Sequence, residues 1–346
     1  MHAVGFHEHG DIDNLELLDV PRPTPAADEV VVAVRAAALN HQDLFAVREL
    51  DHYVPDYPFW GGGDIAGVVD ELGDEVSGWE TGDRVAVNPA ISCDECEFCI
   101  RGEHSQCANY EVFGEHRHGG FAEYVAVPAR NLVRVPDGYD MEKAAAAPMA
   151  AGTAWRMLTT RADVQPWDDV LIVGASGGVG SYAVQIAKNV LNVKTLYGTT
   201  SSEEKAEFLR ELGVDHVIDY TEEDFSRVVW QATGKRGVDV VFNNVGGETW
   251  VPSLRTLRNG GTLVTSGATA GPNPETEIRL LFVRQLNVLG STTHTRDSFR
   301  TVMEYVFDGT IDPVVQASYP LEEFGEAFRK MADRELYGKV VLTVDR

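Results

Sequence analysis

Residues 170–180 read VLIVGASGGVG, an apolar run that passes directly into a glycine-rich turn. An amphipathic stretch follows through Lys188, so the segment predicts a strand, a tight turn and a helix. Glycine lets the backbone bend sharply and approach a pyrophosphate, and the new helix offers free N–H groups to the phosphates. The turn predicts dinucleotide binding even though Ala175 replaces the first glycine of the G-x-G-x-x-G pattern. The predicted contacts are residues of the turn itself: Ser176, Gly177, Gly178 and Val179.

The chain downstream of this turn keeps the same alternation. Strand-like apolar segments fall at residues 195–199, 217–218, 238–242 and 262–265, and helix-like stretches separate them. Such alternation indicates βαβ units and a parallel sheet covered by helices on both faces. Ligands of such sheets bind at the carboxyl ends of strands, although ordinary turn chemistry could also place polar residues there. The strand-end residues predicted to contact the cofactor are Asn243, Val245, Ser266 and Gly267.

The end of the second strand distinguishes NADH from NADPH. A carboxylate there binds the ribose hydroxyls of NAD, whereas the 2′-phosphate of NADP requires hydroxyls and a cation. Residues 199–205 read TTSSEEK, with hydroxyls where an acid is expected and a lysine one helical turn later. A solvated surface lysine is the alternative interpretation of that last residue. The segment favours NADPH over NADH, with contacts from Thr200, Ser201 and Lys205.

The composition of the 346 residues limits the classes of partner. The 29 Lys and Arg against 54 Asp and Glu give a net charge of −25, which argues against nucleic acids and anionic membranes, since both select basic patches. A hydrophobic content of 44% argues against a disordered acidic protein. Seven lysines against 22 arginines in so acidic a chain indicate adaptation to concentrated salt, as in a halophile. Without an apolar run of about 18 residues or a signal-peptide pattern, we expect a cytoplasmic protein of about two domains.

All the cysteines of the chain lie in one short segment. They are Cys93, Cys96, Cys99 and Cys107. Cytosolic thiols stay reduced, so a cluster of this kind is more consistent with metal ligands than with disulfides. Four thiolates at this spacing can surround one Zn²⁺ tetrahedrally and leave no position for water. The segment therefore predicts one structural zinc per chain.

Several motifs occur together and resemble those of one family. Besides the cysteine segment and the glycine turn, the chain has Gly-Asp-Arg-Val at 82–85, Phe-Ala-Glu-Tyr at 121–124 and Gly-Lys-Val-Val at 338–341. On these residues the sequence is identified as a member of the medium-chain dehydrogenase/reductase superfamily, the group of zinc-type alcohol dehydrogenases and quinone reductases.

That resemblance implies an α/β fold in two domains. A GroES-like β-rich catalytic domain would combine residues 1–145 and 295–346, with a zinc lobe at 90–110. A Rossmann domain, a doubly wound parallel sheet that binds NADP, would span residues 146–294. The family also implies a homodimer or homotetramer joined through the edge of the Rossmann sheet.

The resemblance also reveals a departure at the catalytic metal. Alcohol dehydrogenases of the family hold a second zinc with a Cys, a His and a third ligand, and the corresponding residues here are Asn40, Gly63 and Met149. An amide, a glycine and a thioether cannot replace that ligand set. We therefore expect the structural zinc without the catalytic one. A rebuilt metal site stays open as an alternative, with His41, Asp43, Asp64, His116 and His118 as its candidate ligands.

Position in the family's motifs suggests roles for the other residues near the expected reaction centre. His41 and Lys339 are expected to contact the cofactor, with general-acid catalysis as the alternative role of His41. Asn40, Gln42 and Tyr53 are expected to bind the carbonyl group of the acceptor.

The loss of a catalytic metal points to activated acceptors. Without a Lewis acid nothing lowers the pKa of a simple alcohol, whereas zinc-free members of the family reduce quinones and α,β-unsaturated carbonyls. We expect an NADPH-dependent oxidoreductase that transfers hydride to a small-molecule quinone, enone or other activated carbonyl. Two alternatives stay open: a zinc-dependent alcohol dehydrogenase with atypical catalytic ligands, and a non-catalytic NADPH-binding redox sensor.

Overall fold

The computed structural model describes residues 1–48 and 56–344. The chain forms two compact units. The first consists of Met1–Ala150 and His294–Arg346, and the second of Ala151–Thr293. Among the described residues, no helix has the length and apolar character needed to cross a membrane.

The first 150 residues consist mainly of short strands joined by turns, as the sequence predicts. The strands are β1 (His2–Phe6), β2 (Glu16–Asp19), β3 (Glu29–Ala38), β4 (Phe59–Trp60), β5 (Asp64–Leu72), β6 (Arg84–Val87), β7 (Ala90–Ile91), β8 (Glu111–Val112), β9 (Tyr124–Pro128) and β10 (Leu132–Arg134). The helices are α1 (His41–Arg48), α2 (Glu97–Ile100), α3 (Met141–Ala146) and α4 (Pro148–Trp155). Single 3₁₀ turns occur at Ile12–Asn14, His104–Gln106 and Ala129–Asn131.

The middle of the chain alternates strands and helices. The strands are β11 (Asp169–Val173), β12 (Thr195–Thr200), β13 (His216–Asp219), β14 (Val238–Asn243), β15 (Leu257–Thr265) and β16 (Asn287–Gly290). The helices are α5 (Gly178–Gln185), α6 (Glu203–Glu211), α7 (Phe225–Ala232), α8 (Trp250–Thr256) and α9 (Ile278–Arg284). Two π-helical segments, Arg156–Arg161 and Ile186–Val190, continue α4 and α5, and a 3₁₀ turn lies at Gly247–Thr249.

The last fifty residues return to the first unit. They form α10 (Arg296–Phe307), β17 (Val315–Pro320), a 3₁₀ turn (Leu321–Glu323), α11 (Phe324–Ala332) and β18 (Lys339–Thr343).

In the main sheet of the first unit, the residues of the candidate site lie at the end of β3. The strand order is β10-β6-β5-β3-β18-β17, and β9 also pairs with β3. The antiparallel register of β3 places Ala38 opposite Val341 on one side and opposite Asp64 on the other. Continued by two residues, the first of these registers brings Lys339 level with Asn40. Strand pairing thus joins three distant parts of the sequence.

The second unit is a parallel sheet of six strands in the order β13-β12-β11-β14-β15-β16. Numbered within the unit, this order is 3-2-1-4-5-6, the doubly wound arrangement of Rossmann folds. Its inward residues Leu171, Val241 and Leu263 are fully buried. The predicted fold class, a GroES-like unit and a Rossmann-like parallel sheet, is confirmed.

Candidate active site and metal centre

A buried polar cluster lies where β3 ends. Lys339 donates from Nζ to Asn40 Oδ1 at 2.7 Å and to Asp64 Oδ2 at 2.9 Å. Asn40 Nδ2 donates to the same Asp64 oxygen at 2.9 Å. The lysine side chain is 3% exposed and the aspartate 0%, so the ion pair is shielded from solvent. The family's motif predicts that Lys339 contacts the cofactor; in the structure its ammonium bonds Asn40 and Asp64.

Asp43 fixes the backbone around this cluster. Its carboxylate accepts hydrogen bonds from the Asn40 N–H at 2.7 Å and from the Gly62 N–H at 3.0 Å. Burial raises the pKa of Asp43 to about 7, although both N–H groups and the charge of Lys339 act in the opposite direction. Burial therefore favours the protonated form of Asp43, while the two N–H groups that its oxygens accept shape the start of α1.

The other residues of α1 that the sequence singled out lie beside the cluster. Gln42 donates from Nε2 to Glu115 Oε2 at 2.7 Å, and burial raises the pKa of that glutamate. His41 is partly buried, and its pKa is lowered by burial and by the charges of Arg334 and Lys339. Tyr53 lies outside the described residues.

The glycine turn of the second unit has little room for side chains. Gly174 has φ +71°, and a Cβ atom on Gly180 would lie 2.2 Å from the Gly174 carbonyl oxygen. Ala175 is tolerated because Gly198 on β12 faces its methyl group: a Cβ on Gly198 would come within 3.1 Å of it. Gly177 precedes the first residue of α5. The free N–H groups of that helix therefore face the turn, as phosphate binding requires.

The predicted NADPH contacts have different degrees of exposure. Thr200 is 1% exposed, and its hydroxyl donates to Ser176 Oγ at 3.3 Å. Its side chain therefore supports the buried side of the glycine turn. Ser201 is partly exposed. The backbone N–H of Lys205, also partly exposed, donates to the Ser202 hydroxyl at the start of α6. Of the three predicted contacts, Ser201 and Lys205 are the accessible ones.

The predicted cofactor contacts at the strand ends also differ in their exposure. The Asn243 side chain is fully buried and saturated: it donates to Thr249 and Ser253 and accepts from the N–H groups of Val245 and Gly246. It therefore holds the turn, and its amide has no further hydrogen bond for a cofactor. Three residues predicted with it, Val245, Ser266 and Gly267, reach the surface of the unit.

The four cysteines converge in the first unit. Their sulfur atoms all lie within 4.8 Å of one another, and none forms a disulfide. Over residues 1–48 and 56–344, this is the one group of three or more His, Cys, Asp or Glu donors close enough to hold a metal ion. The candidate ligands of a rebuilt second site, His41, Asp43, Asp64, His116 and His118, form no such group there.

The cysteine cluster fits a tetrahedral zinc. The N–H groups of Cys93 and Asn109 each donate to Cys107 Sγ at 3.3 Å, an arrangement that stabilises a thiolate. The N–H groups of Cys99 and Ala108 lower the pKa of Cys96 to about 6, whereas burial raises that of Cys99 to about 12. Four adjacent sulfurs cannot all ionise without a cation between them, so the donor set favours a bound metal.

Comparisons with known proteins place the chain in a family. Residues 26–137 match the alcohol dehydrogenase GroES-like domain, and residues 178–308 match the zinc-binding dehydrogenase family. Acryloyl-coenzyme A reductase of Sulfurisphaera tokodaii is 32% identical over 337 residues, 96% of this chain and 97% of that protein. The chain belongs to the medium-chain dehydrogenase/reductase superfamily. It is an NAD(P)-dependent oxidoreductase of that superfamily.

Two further relatives of this medium-chain dehydrogenase/reductase match it over essentially their full lengths. An NAD-dependent alcohol dehydrogenase of Sulfolobus acidocaldarius is 32% identical over 354 residues, 99% of this chain and 100% of that protein. A crystal structure of an NAD-dependent alcohol dehydrogenase superposes with a TM-score of 0.96 at 37% identity and covers 100% of both chains.

The three positions that hold the catalytic zinc in alcohol dehydrogenases of this superfamily meet at the buried cluster. Asn40 is bonded to Lys339, as described above. A Cβ atom on Gly63 would lie 3.0 Å from the Phe113 carbonyl oxygen and 3.6 Å from the Met149 methyl. The Met149 N–H in turn donates to Asp64 Oδ1. In this medium-chain dehydrogenase/reductase the ligand positions are therefore adjacent, but an amide, an empty Cβ position and a thioether occupy them. The sequence motifs identified these positions but gave no indication that Lys339 would join them.

Proposed function

We propose that this chain is an NADPH-dependent reductase of activated acceptors that works without a catalytic zinc. The acceptor is a small molecule whose C=C bond is conjugated to a carbonyl: an enoyl thioester, an enone or a quinone. The observation that carries the proposal is the cluster of Asn40, Asp64 and Lys339. In it the amide of Asn40 occupies one of the family's metal-ligand positions, and the ammonium of Lys339 is bonded to that amide.

The reaction requires a hydrogen-bond donor at the acceptor oxygen. When bound, NADPH would supply a hydride to the β-carbon of the conjugated system, negative charge would move to the carbonyl oxygen, and a proton from water would complete the reduction. A donor held at that oxygen stabilises the transition state without a metal. Asn40 is partly exposed and carries such an amide N–H, and Gln42 carries a second amide close by.

The names of the relatives support this acceptor class. Acryloyl-coenzyme A is an α,β-unsaturated thioester, and a reductase of it is 32% identical to this chain. The alcohol dehydrogenases among the relatives favour a second candidate, alcohol oxidation at a metal with atypical ligands. Asn40, Gly63 and Met149 argue against that candidate, because none supplies the thiolate or imidazole that zinc prefers.

The choice of NADPH depends on the accessible residues after β12. Ser201 and Lys205 offer a hydroxyl and a cation to a 2′-phosphate, and no carboxylate directly follows the strand. His41 of the first unit stays a candidate for cofactor contact. Because burial and two neighbouring cations lower its pKa, its imidazole is neutral at pH 7 and can donate or accept a hydrogen bond.

One structural zinc in the lobe of the four cysteines belongs to the same proposal. The lobe is tied to α10 by Asp94, which accepts from Arg296 at 2.6 Å and lies 3.3 Å from Arg130. Burial opposes ionisation of Asp94, but the hydrogen bond and charge of Arg296 outweigh it and lower the pKa of Asp94. The zinc would therefore stabilise a lobe that is anchored to both chain segments of the first unit.

We extend the proposal to a homodimer. The edge strand β16 exposes Val288, and α9 exposes Ile278, Phe282 and Val283 at 65–70%. An unpaired strand edge with an apolar neighbourhood is a template for a second copy of the same sheet. Phe282→Asp should reduce the molar mass in light scattering to that of one chain, whereas the control Arg279→Asp, on the same helix, should not.

Two measurements test the catalytic proposal. Metal analysis should find about one zinc per chain, since within residues 1–48 and 56–344 the cysteine lobe is the one group of donors close enough to hold a metal ion. NADPH oxidation, followed by its absorbance, should occur with an enoyl thioester, an enone or a quinone and not with a saturated aldehyde. Two zinc ions with alcohol oxidation would establish the alcohol dehydrogenase instead. NADPH binding without turnover of any acceptor would establish the redox sensor.

A further inference from the structure

The orientation of the Asn40 amide is decided by its neighbours. An ammonium has only donors, so the atom of Asn40 that faces Lys339 Nζ at 2.7 Å must be the amide oxygen. An ionised carboxylate has only acceptors, so the atom that faces Asp64 at 2.9 Å must be the amide nitrogen. An exchange of the two amide atoms would break both bonds and place like groups together. The ion pair thus holds the amide in one orientation.

This orientation has a consequence for the second amide hydrogen. The Asn40 Nδ2 group has two N–H bonds, and within residues 1–48 and 56–344 one of them is used, by Asp64. The residue is partly exposed while Lys339 and Asp64 are buried behind it. The second N–H is therefore the polar group that the cluster can present to a ligand. A positive charge on the amide oxygen also withdraws electrons from the amide and makes that N–H a stronger donor.

We propose that Lys339 and Asp64 are positioning residues that hold Asn40 as an N–H donor for the acceptor's carbonyl oxygen. The inference rests on the proposed function and narrows it: the ligand must present a hydrogen-bond acceptor at this point, as a conjugated thioester or ketone does. It also assigns Lys339 to the acceptor side of the reaction, in contrast to the cofactor contact expected from the family's motif.

The test replaces both charges together, because the removal of one would leave its partner buried and unpaired. In Lys339→Met/Asp64→Asn the amide of Asn40 loses the two charges that fix its orientation, because the new amide side chain can face it with either its oxygen or its nitrogen. We expect kcat for NADPH-dependent reduction of an enoyl thioester to fall about 100-fold, as for loss of an oxyanion donor. The Kd for NADPH, measured by fluorescence without acceptor, should stay within about threefold. Lys194→Met, which removes an ammonium 3.1 Å from buried Asp169 in the other unit, serves as the control and should leave kcat unchanged.

Non-additivity shows whether the pair acts through Asn40. Asn40→Ala alone should also lower kcat about 100-fold, and the triple variant should be no worse than either parent. Multiplied losses in the triple variant, or an NADPH Kd raised tenfold or more with kcat unchanged, would overturn the inference and favour a cofactor role for Lys339. A double variant that keeps wild-type kcat would overturn it too, while the proposed function stands. A wild-type protein that reduces no conjugated acceptor would refute both.

Discussion

At the scale of single residues, protonation at the end of β3 links stability to pH. Burial raises the pKa of Asp43 from 3.8 to about 7, so the folded chain binds this proton more tightly than the unfolded chain does. The folded state then gains most from this group at low pH, and its contribution falls as the pH rises from about 4 to about 7. The two backbone N–H bonds to the carboxylate limit that loss, because they favour the charged form.

Lys205 supplies the sharpest test of cofactor choice. Lys205→Ala removes the cation expected at the 2′-phosphate, while the start of α6 keeps its cap because Ser202 accepts from the backbone N–H of residue 205. We expect the ratio of kcat/KM with NADPH to that with NADH to fall about tenfold, the value of one charge-assisted hydrogen bond. Lys188→Ala, which removes a lysine paired with Asp215 in the same unit, should leave the ratio unchanged. An unchanged ratio in both variants would show that Lys205 is a solvated surface lysine that does not contact the cofactor.

At the scale of elements, the start of the parallel sheet is held by one carboxylate. Asp239 on β14 accepts from the Asp169 N–H on β11 at 2.9 Å and from the guanidinium groups of Arg236 and Arg258. Burial opposes its ionisation, but these hydrogen bonds outweigh it and lower the pKa to about 2. A depressed pKa gives stability that is present above the unfolded value of 3.8 and lost as the pH falls from about 4 to about 2.

Asp239→Asn should therefore destabilise the second unit in a pH-dependent way. At pH 6 we expect a loss of about 1–2 kcal/mol, seen as a lower melting temperature. The difference from wild type should shrink as the pH approaches 3, because the unfolded wild-type chain then binds a proton at this carboxylate while the folded chain still holds it mostly ionised. Asp137→Asn, at an exposed carboxylate of the other unit, is the control. An equal difference at every pH would show that packing, not charge, is what the substitution removes.

The cysteine lobe gives the second test at this scale. Cys96→Ser replaces one of four sulfurs within 4.8 Å by a weaker zinc ligand. We expect less than about one-tenth of the wild-type zinc after dialysis and a melting temperature lower by several degrees, since metal binding contributes directly to folding. Glu95→Gln, an exposed neighbour in the same lobe, should keep its zinc. A full zinc content in the cysteine variant would contradict the proposed ligand set.

The sequence predicts these elements where the signal is local. The apolar run before the glycine turn forms β11, and the cysteine spacing predicts a cluster because a few residues separate its members. The contact between Lys339 and Asn40 spans 299 positions, and that between Lys339 and Asp64 spans 275. The pairing of β3 with β18 and with β5 brings these side chains together, and no short motif encodes a strand register. The burial of Thr200 and Asn243 was missed for the same reason.

At the scale of the whole molecule, the charge is the dominant feature. A net charge of −25 creates mutual repulsion among surface carboxylates, which destabilises the folded state at low ionic strength. We propose that the composition reflects a working environment of concentrated salt. Mobile cations screen this repulsion, and the screening length falls from about 10 Å at 0.1 M salt to about 3 Å at 1 M.

The melting temperature should therefore rise by several degrees between about 0.1 M and about 2 M KCl. A variant with Glu75, Glu80, Glu222 and Glu322 changed to Gln isolates the cause, because these side chains are exposed and fewer charges remain to be screened. It should melt higher than wild type in low salt and gain less from added KCl. If salt acted only by strengthening the burial of apolar surface, added KCl would raise the melting temperatures of both proteins equally. That parallel response, or a melting temperature that falls with KCl, would refute the link between the acidic composition and salt.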